Sequence, residues 1–224
     1  MSFANQVAIV TGASSGIGWE RAKVLAARQC AVGVLARRKE LLETLVREIQ
    51  AGGGRAAYAV ADVADRAQTL AAIAELRAQL GPVDLLIANS GLGRPTLIEP
   101  MNVDEVDQMF KVNTLGVVYA IEAVLPEMLQ RGKGHLAAIS SLAAYLAMPG
   151  ESGYCASKAA VNVYLESLRL QVRKRGIHVT TVCPGFIETP MTAANPFHMP
   201  WLMKADKAAA LIVRALERKK KVYN

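Results

Sequence analysis

Runs of hydrophobic residues recur along the chain, and polar positions interrupt them only rarely. Continuous apolarity over five to eight residues is typical of strands that are covered by helices on both faces of a parallel sheet. The pattern therefore predicts six buried strands, within the runs QVAIVTG, CAVGVLAR, RAAYAVAD, VDLLIANSG, GHLAAISS and IHVTTVCPG.

Between these runs the apolar residues follow a helical period. In ELLETLVREIQ one apolar stripe lies opposite a polar face, and its members are Leu41, Leu42, Leu45, Val46 and Ile49. Helices are predicted over 16–28, 39–51, 66–79, 103–131, 153–175 and 205–218.

Strands and helices thus alternate, which predicts right-handed crossovers between parallel strands. The fold class is α/β: a doubly wound Rossmann fold with six to seven parallel strands and helices on both faces. We expect residues 1–224 to form one dinucleotide-binding catalytic domain, with its ligand site at the carboxyl ends of the strands.

Composition narrows the function classes. The formal net charge is +7, but the only concentrated basic run is ERKKK near the end, and no nucleic-acid motif accompanies it. Nucleic acid is therefore not an expected partner, whereas an anionic substrate or a phosphorylated cofactor suits a basic surface. No apolar stretch predicts a membrane span, and the amino-terminal residues show no secretion-signal pattern, so we expect a cytoplasmic location. The three cysteines are too few and too scattered for a disulfide framework or a metal site, so we expect reduced thiols and no metal.

The loop after the first strand, TGASSGIG, predicts a phosphate-binding turn. Gly12, Gly16 and Gly18 permit a tight turn and close approach of the backbone to a pyrophosphate, and the following helix presents its amino terminus. Ser14 and Ile17 of the same loop are expected cofactor contacts. The spacing departs from GxGxxG, so the prediction depends on the strand-loop-helix setting.

The second strand ends in VLARRKE, where NAD enzymes usually present an acidic residue to the ribose 2′-hydroxyl. Arg37 and Arg38 stand there instead, and guanidinium groups can hold a 2′-phosphate through charge-assisted hydrogen bonds. This favours NADP(H), with Arg37 the stronger candidate because it follows the strand directly. The alternative is two solvated arginines at the start of a helix.

Two further strand ends are expected to complete the cofactor pocket. Asp62 and Val63 would flank the adenine, and Asn89 and Gly91 would pass close to the ribose. For Asn89 alone, a turn-stabilising side chain is an equal alternative.

Tyr154 and Lys158 are spaced to share one face of the predicted helix over 153–175. With the loops above, the chain resembles the short-chain dehydrogenase/reductase family over almost its whole length. The matching motifs occur in family order: TGASSGIG, ADV, NSG in place of the usual NAG, KVNTLG, ISS, YCASK and PGFIET.

The resemblance implies a catalytic tetrad of Asn113, Ser141, Tyr154 and Lys158. Tyr154 would donate the proton to the alkoxide that forms on carbonyl reduction, Lys158 would lower the pKa of Tyr154 and bind ribose, and Ser141 would hydrogen-bond the substrate oxygen. Asn113, inside a long helix, would hold a water on a proton path. Ser140 would be a pocket neighbour.

The resemblance also implies that Pro184, Gly185, Ile187 and Thr189 contact the nicotinamide end of the cofactor. A substrate lid is expected at about 186–204. Its apolar wall with one polar member would consist of Phe186, Met191, Phe197, His198, Met199 and Trp201.

The expected function is reversible, NADPH-dependent reduction of a ketone or aldehyde to an alcohol, with Tyr154 as general acid and base. The alternative is an NADP(H)-binding regulator or scaffold of the same fold that does not turn over substrate. A homodimer or homotetramer is expected through two apolar helices, although helices buried within one subunit would show the same pattern. The residues concerned are Val117, Val118, Ile121, Val161, Val163 and Leu165.

Overall fold

A computed structural model describes residues 3–193, 195 and 198–224. Seven strands form the main sheet: β1 (Val7–Thr11), β2 (Ala31–Ala36), β3 (Ala56–Val60), β4 (Leu85–Ala88), β5 (Gly134–Ile139), β6 (Ile177–Val182) and β9 (Val222–Tyr223). Two short strands, β7 (Ile187–Glu188) and β8 (Met203–Lys204), pair separately. The α-helices are α1 (Gly16–Ala26), α2 (Lys39–Ala51), α3 (Arg66–Leu80), α4 (Val103–Phe110), α5 (Gly116–Arg131), α6 (Ser152–Val172) and α7 (Ala205–Glu217).

The main sheet has the order β3-β2-β1-β4-β5-β6-β9, and every pair of neighbours is parallel. One apolar layer joins the sheet to α1, α2 and α7, and a second joins it to α3, α5 and α6. The doubly wound prediction is therefore confirmed. The strand order reverses between β1 and β4, so a crevice opens there at the carboxyl ends, where such sheets bind ligands.

The helix predicted over 103–131 is three elements rather than one. A π-helical turn, Lys111–Leu115, separates α4 from α5, and the Gly116 amide donates to the Lys111 carbonyl five residues back. The apolar period does not reveal this turn, because one extra residue shifts the register only locally. Its consequence is that Asn113 lies in the turn and is fully buried.

Among the described residues, only the stretch Val103–Arg131 has the length and apolarity that a membrane-crossing helix needs, with a mean hydropathy of 1.3 in its best window. Length and composition alone are weak evidence, and a core helix of a folded domain meets the same criterion. Here α5 packs on α3 and contributes Val117, Ala120 and Ile121 to the core. We therefore interpret α5 as a core element.

Most of the residues expected at a subunit interface belong to the core of this chain instead. Val117, Ile121, Val161 and Leu165 are each at most 3% exposed because they face the sheet. Only Val163, at 68% exposed, points fully outward, while Val118 is half-buried. The alternative of burial within one subunit thus accounts for four of the six residues.

A chain of hydrogen bonds joins β5 and β6 to the turn before β9. Thr180 Oγ1 lies 2.6 Å from the Lys220 carbonyl oxygen, and the carbonyl can only accept, so the hydroxyl hydrogen points there. His135 Nε2, 2.8 Å from the same hydroxyl, must then be the donor. Burial, with smaller contributions from His178 and Lys219, lowers the pKa of His135 to about 3.

His135 is expected to make the protein acid-sensitive. Its pKa in the folded state lies below its ordinary value of 6.5, so the unfolded chain binds a proton that the folded protein does not. This stability is fully present above about pH 6.5 and is lost as the pH falls toward 3, at about 1.4 kcal/mol per pH unit.

Urea unfolding of wild type and His135→Gln across this pH range tests the expectation. The glutamine amide keeps a donor for Thr180 but cannot take up a proton, so the variant should lose less stability on acidification. His178→Gln, at an exposed position, is the control with the smaller expected change. Parallel pH profiles for wild type and His135→Gln would contradict the assignment.

Candidate active site

One cavity of about 490 Å³ lies at the carboxyl ends of the strands. Every residue predicted to contact a cofactor lines it: Gly12, Ser14, Gly16, Ile17, Gly18, Arg37, Arg38, Asp62, Val63, Asn89, Gly91, Tyr154, Lys158, Pro184, Gly185, Ile187 and Thr189. Ser141 also lines it, whereas Asn113 lies behind the wall. Residues from six separate loops therefore meet in one place.

The glycine loop is packed too closely for larger residues. A Cβ on Gly12, whose φ is +64°, would lie 2.7 Å from Ser90 Cα, and one on Gly18 would lie 2.5 Å from the Gly12 carbonyl oxygen. Helix α1 begins here, and the side chain of its N-cap residue, Ser15, does not cap it. Backbone N–H groups and the positive end of the helix dipole thus face the cavity, which suits an anionic ligand.

The two arginines after β2 have different surroundings. Arg38 donates to Ser14 Oγ from Nε at 3.1 Å and from Nη2 at 2.8 Å, and its Nη2 also donates to Ser15 Oγ at 2.8 Å. Arg37 is 74% exposed and lies 3.7 Å from Asp62. The sequence favours Arg37, but the structure holds Arg38 against the glycine loop and leaves Arg37 exposed near Asp62.

Asn89 secures the first loop through its side chain. Its Nδ2 donates to the Thr11 carbonyl at 2.9 Å and the Gly12 carbonyl at 3.2 Å. The turn-stabilising alternative therefore describes its contacts, although the residue also lines the cavity. Asp62 accepts a hydrogen bond from the Ala64 amide at 3.0 Å, which fixes the adjacent turn.

The two serines after β5 point in different directions. Ser140 is buried, and its hydroxyl donates to the Lys158 carbonyl at 3.1 Å, so it links the end of β5 to α6. Ser141 lines the cavity, accepts from the Ala143 amide at 3.1 Å and is close enough to Tyr154 to oppose the rise of its pKa. Of the two, Ser141 is thus the one in contact with the tyrosine.

Lys158 lies one helical turn after Tyr154 and is 3% exposed. Its Nζ donates to the Ile139 carbonyl at 2.9 Å, at the end of β5, and lies 5.8 Å from the centre of the Tyr154 ring. The ammonium therefore faces the cavity floor with further N–H donors that this carbonyl does not use.

Burial changes both pKa values. Loss of solvent raises the pKa of the Tyr154 phenol above its ordinary value of 10, the hydrogen bond with Ser141 opposes the rise, and the Glu151 charge adds to it. Loss of solvent lowers the pKa of Lys158 to about 8, against a weaker opposing effect of Cys183. The lowering of the Tyr154 pKa expected from Lys158 is therefore not produced by the chain's own groups. Lys158 is instead the stronger acid of the pair.

Asn113 is held through its side-chain amide. Oδ1 accepts from the Leu92 amide at 2.7 Å, while Nδ2 donates to the Leu92 carbonyl at 2.8 Å and to Ser157 Oγ at 2.9 Å. Its side chain thus joins the loop after β4 to α6, beside Lys158.

The described part of the expected lid contributes less apolar wall than the sequence suggests. Phe197 lies outside the described residues, and of the five described wall residues only Met191 lines the cavity; Trp201 is 92% exposed. The pairing of β7 with β8 brings the ends of this segment together.

Several polar residues of the cavity were not singled out from the sequence, and three of them lie on the loop after β4 and on α4. Arg94 belongs to the loop after β4, and Glu105 and Gln108 belong to α4. Beyond the NSG motif the loop has no pattern that points to Arg94, so only the tertiary structure reveals that these side chains share a cavity with Tyr154.

Comparison with known proteins gives the family. A family model described as short chain dehydrogenase matches residues 6–198. An uncharacterized oxidoreductase of Myxococcus xanthus (strain DK1622) is 38% identical over 213 residues, covering 95% of this chain and 84% of the relative. The 2-(R)-hydroxypropyl-CoM dehydrogenase of Xanthobacter autotrophicus is 38% identical over 192 residues, covering 84% and 77% of the two chains.

Among solved structures, a short chain dehydrogenase/reductase from Burkholderia phymatum in complex with NAD has a TM-score of 0.91. It is 24% identical and the match covers 99% of this chain and 89% of that chain, so it supports the fold. Together with the convergent loops of the cavity, the family match and the relatives establish that this chain belongs to the short-chain dehydrogenase family of oxidoreductases.

Proposed function

We propose that this oxidoreductase reduces a ketone or aldehyde to an alcohol with NADPH, reversibly, and that Tyr154 is its general acid and base. The observation that carries the proposal is that Tyr154 and Ser141 share one cavity with an uncapped helix terminus and two arginines. An anion cradle and a proton donor are thereby brought together, as a nicotinamide cofactor and a carbonyl substrate require.

The residues present fit such a cofactor. The amino terminus of α1 suits a pyrophosphate, and Lys158 has N–H donors for ribose hydroxyls. Pro184, Gly185, Ile187 and Thr189 line the far end of the cavity. When bound, NADPH supplies a hydride to the carbonyl carbon.

Residues of the chain would donate the proton to the substrate oxygen and replace it afterwards. Near neutral pH the phenol of Tyr154 is protonated, because burial holds its pKa above 10, so it can donate to the substrate oxygen. Lys158, with a pKa of about 8, is the stronger acid and can return a proton to the phenolate. Ser141 would hydrogen-bond the substrate oxygen as charge develops on it.

The preference for NADP(H) rests on the absence of an acidic residue at the end of β2 and on both arginines. We expect Arg38→Ala to weaken NADPH binding by about 10- to 100-fold, the effect of one or two charge-assisted hydrogen bonds, and to leave NADH binding nearly unchanged. Arg37→Ala should have a smaller effect, because Arg37 is largely exposed.

Fluorescence titration of the purified protein with both coenzymes measures this preference. Arg47→Ala, on the exposed face of α2, is the matched control and should bind both coenzymes as wild type does. Equal affinity of the wild type for NADH and NADPH would contradict the preference, without bearing on the proposed reaction.

The reaction is tested by following NADPH oxidation with a panel of aldehydes, ketones and quinones. Turnover of any carbonyl supports the proposal. Tight coenzyme binding with no turnover across the panel would favour the second candidate, an NADP(H)-binding regulator or scaffold. The contact of Ser141 with Tyr154 argues against that candidate, because a scaffold needs no such alignment.

A homodimer or homotetramer in the cytoplasm completes the proposal. Val163 and Leu170 expose 68% and 59% of their surface on α6, and Leu115 exposes 40% near the start of α5, which is apolar area that a second copy could cover. The three cysteines are free and buried, which is compatible with a reducing compartment.

A further inference from the structure

One wall of the active-site cavity has no role in the reaction proposed above. It is formed by the loop after β4 and by α4 together with the π turn. Its members are Leu92, Arg94, Glu105, Gln108 and Val112.

This wall is fixed relative to Tyr154. Asn113 binds both the amide and the carbonyl of Leu92. The next residue, Gly93, lies directly against the tyrosine, since a Cβ placed on it would be 3.7 Å from Tyr154 Cδ2. Arg94 therefore leaves the backbone one residue beyond the point of contact with the proton donor.

Arg94 lies at ion-pair distance from Glu105 but is not held by a hydrogen bond to it. Its Nε is 3.7 Å from Glu105 Oε2, which is longer than a hydrogen bond, and within the described part of the chain no hydrogen bond from its guanidinium is present. Arg66, in contrast, binds Glu122 through two hydrogen bonds, one of 2.8 Å. Arg94 thus has its fork of N–H donors available, on a side chain 57% exposed.

A guanidinium fork matches the two oxygens of a carboxylate or similar acid. The amide of Gln108 lines the same wall and can add a donor. The net charge of +7 would in addition draw anions toward the cavity.

We propose that the substrate is a carbonyl compound with an acidic group at its far end, and that Arg94 binds this group while Tyr154 serves the carbonyl. The proposal rests on the proposed carbonyl reduction and names its substrate class. Glu105 orients Arg94 before the substrate arrives and repels the incoming acid, so it moderates affinity.

The test uses methyl-ketone carboxylic acids of increasing chain length, each beside its methyl ester, with NADPH as reductant. We expect the wild type to prefer the acid of at least one length by about tenfold or more in kcat/KM. Arg94→Ala should lower kcat/KM for that acid by about 10- to 100-fold, mainly through KM, and leave the ester unchanged. Glu105→Gln should lower KM for the acid several-fold, and Arg94→Lys should restore part of the preference.

Equal losses on acid and ester in Arg94→Ala, or a wild type that prefers the esters, would overturn the proposal. So would a preference for a ketone bearing a quaternary ammonium group that Glu105→Gln abolishes, because Glu105 would then be the recognition residue. Circular dichroism confirms that the exposed-site variants fold.

Failure of the proposed reaction is distinguished by binding. If no carbonyl is turned over, the unfolding temperature measured with NADPH and each acid or ester still reports whether the acid binds at Arg94. Stabilisation by acids in wild type but not in Arg94→Ala would support the substrate class, and identical shifts in both proteins would overturn it.

Discussion

Tyr154→Phe is expected to lower kcat for carbonyl reduction by about 10²- to 10⁴-fold, the usual contribution of a positioned general acid. The substitution removes one oxygen and leaves the ring that packs against Gly93 and faces Lys158. NADPH affinity should therefore change little. Stopped-flow or steady-state oxidation of NADPH near pH 7, where Lys158 is mostly protonated, measures the loss.

Tyr164→Phe is the matched control for this variant. Tyr164 belongs to the same helix, packs against the core layer of α3, α5 and α6, and does not line the cavity. It should retain wild-type kcat. A Tyr154→Phe enzyme with kcat within a few-fold of wild type would show that another group supplies the proton.

Arg21→Met is expected to stabilise the protein. Arg21 is on α1, which packs against α7; its side chain is completely buried, and its three guanidinium nitrogens have no hydrogen-bond partner within the described structure. Burial lowers its pKa to about 9, so below that pH the folded state carries an unpaired buried charge. Methionine has a similar length and no charge, and we expect a gain of about 1–4 kcal/mol in the free energy of unfolding.

Urea unfolding at neutral pH checks this gain. Arg28→Met is the control: Arg28 is partly exposed and lies 2.8 Å from Glu217, so its replacement should leave stability unchanged or slightly lower. A lower unfolding midpoint for Arg21→Met would show that the buried guanidinium is satisfied and contributes to folding.

The predictable part of this molecule is the part that local sequence specifies. The strands can be predicted because their apolar runs are continuous. The proximity of Tyr154 and Lys158 can be predicted because helical spacing brings them to one face. The glycine loop could be assigned because TGASSGIG lies between a strand and a helix, and the structure brings its glycines to the cavity.

The remainder depends on contacts between distant segments. Whether Arg37 or Arg38 reaches the glycine loop depends on where α2 begins relative to Ser14. The rise in the pKa of Tyr154 depends on burial by several elements and on the charge of Glu151. A sequence motif around Tyr154 does not show either effect. Val117 and Ile121 look like interface residues until the sheet that covers them is known.

The side-chain amide of Asn113 links two parts of the cavity, the loop after β4 and helix α6. Through Leu92 it sets the position of the wall that we propose binds the substrate, and through Ser157 it contacts α6, the helix that carries Tyr154. A shift of the wall would therefore disturb α6, so we expect a change of substrate range to come from side chains on the wall while its backbone stays in place.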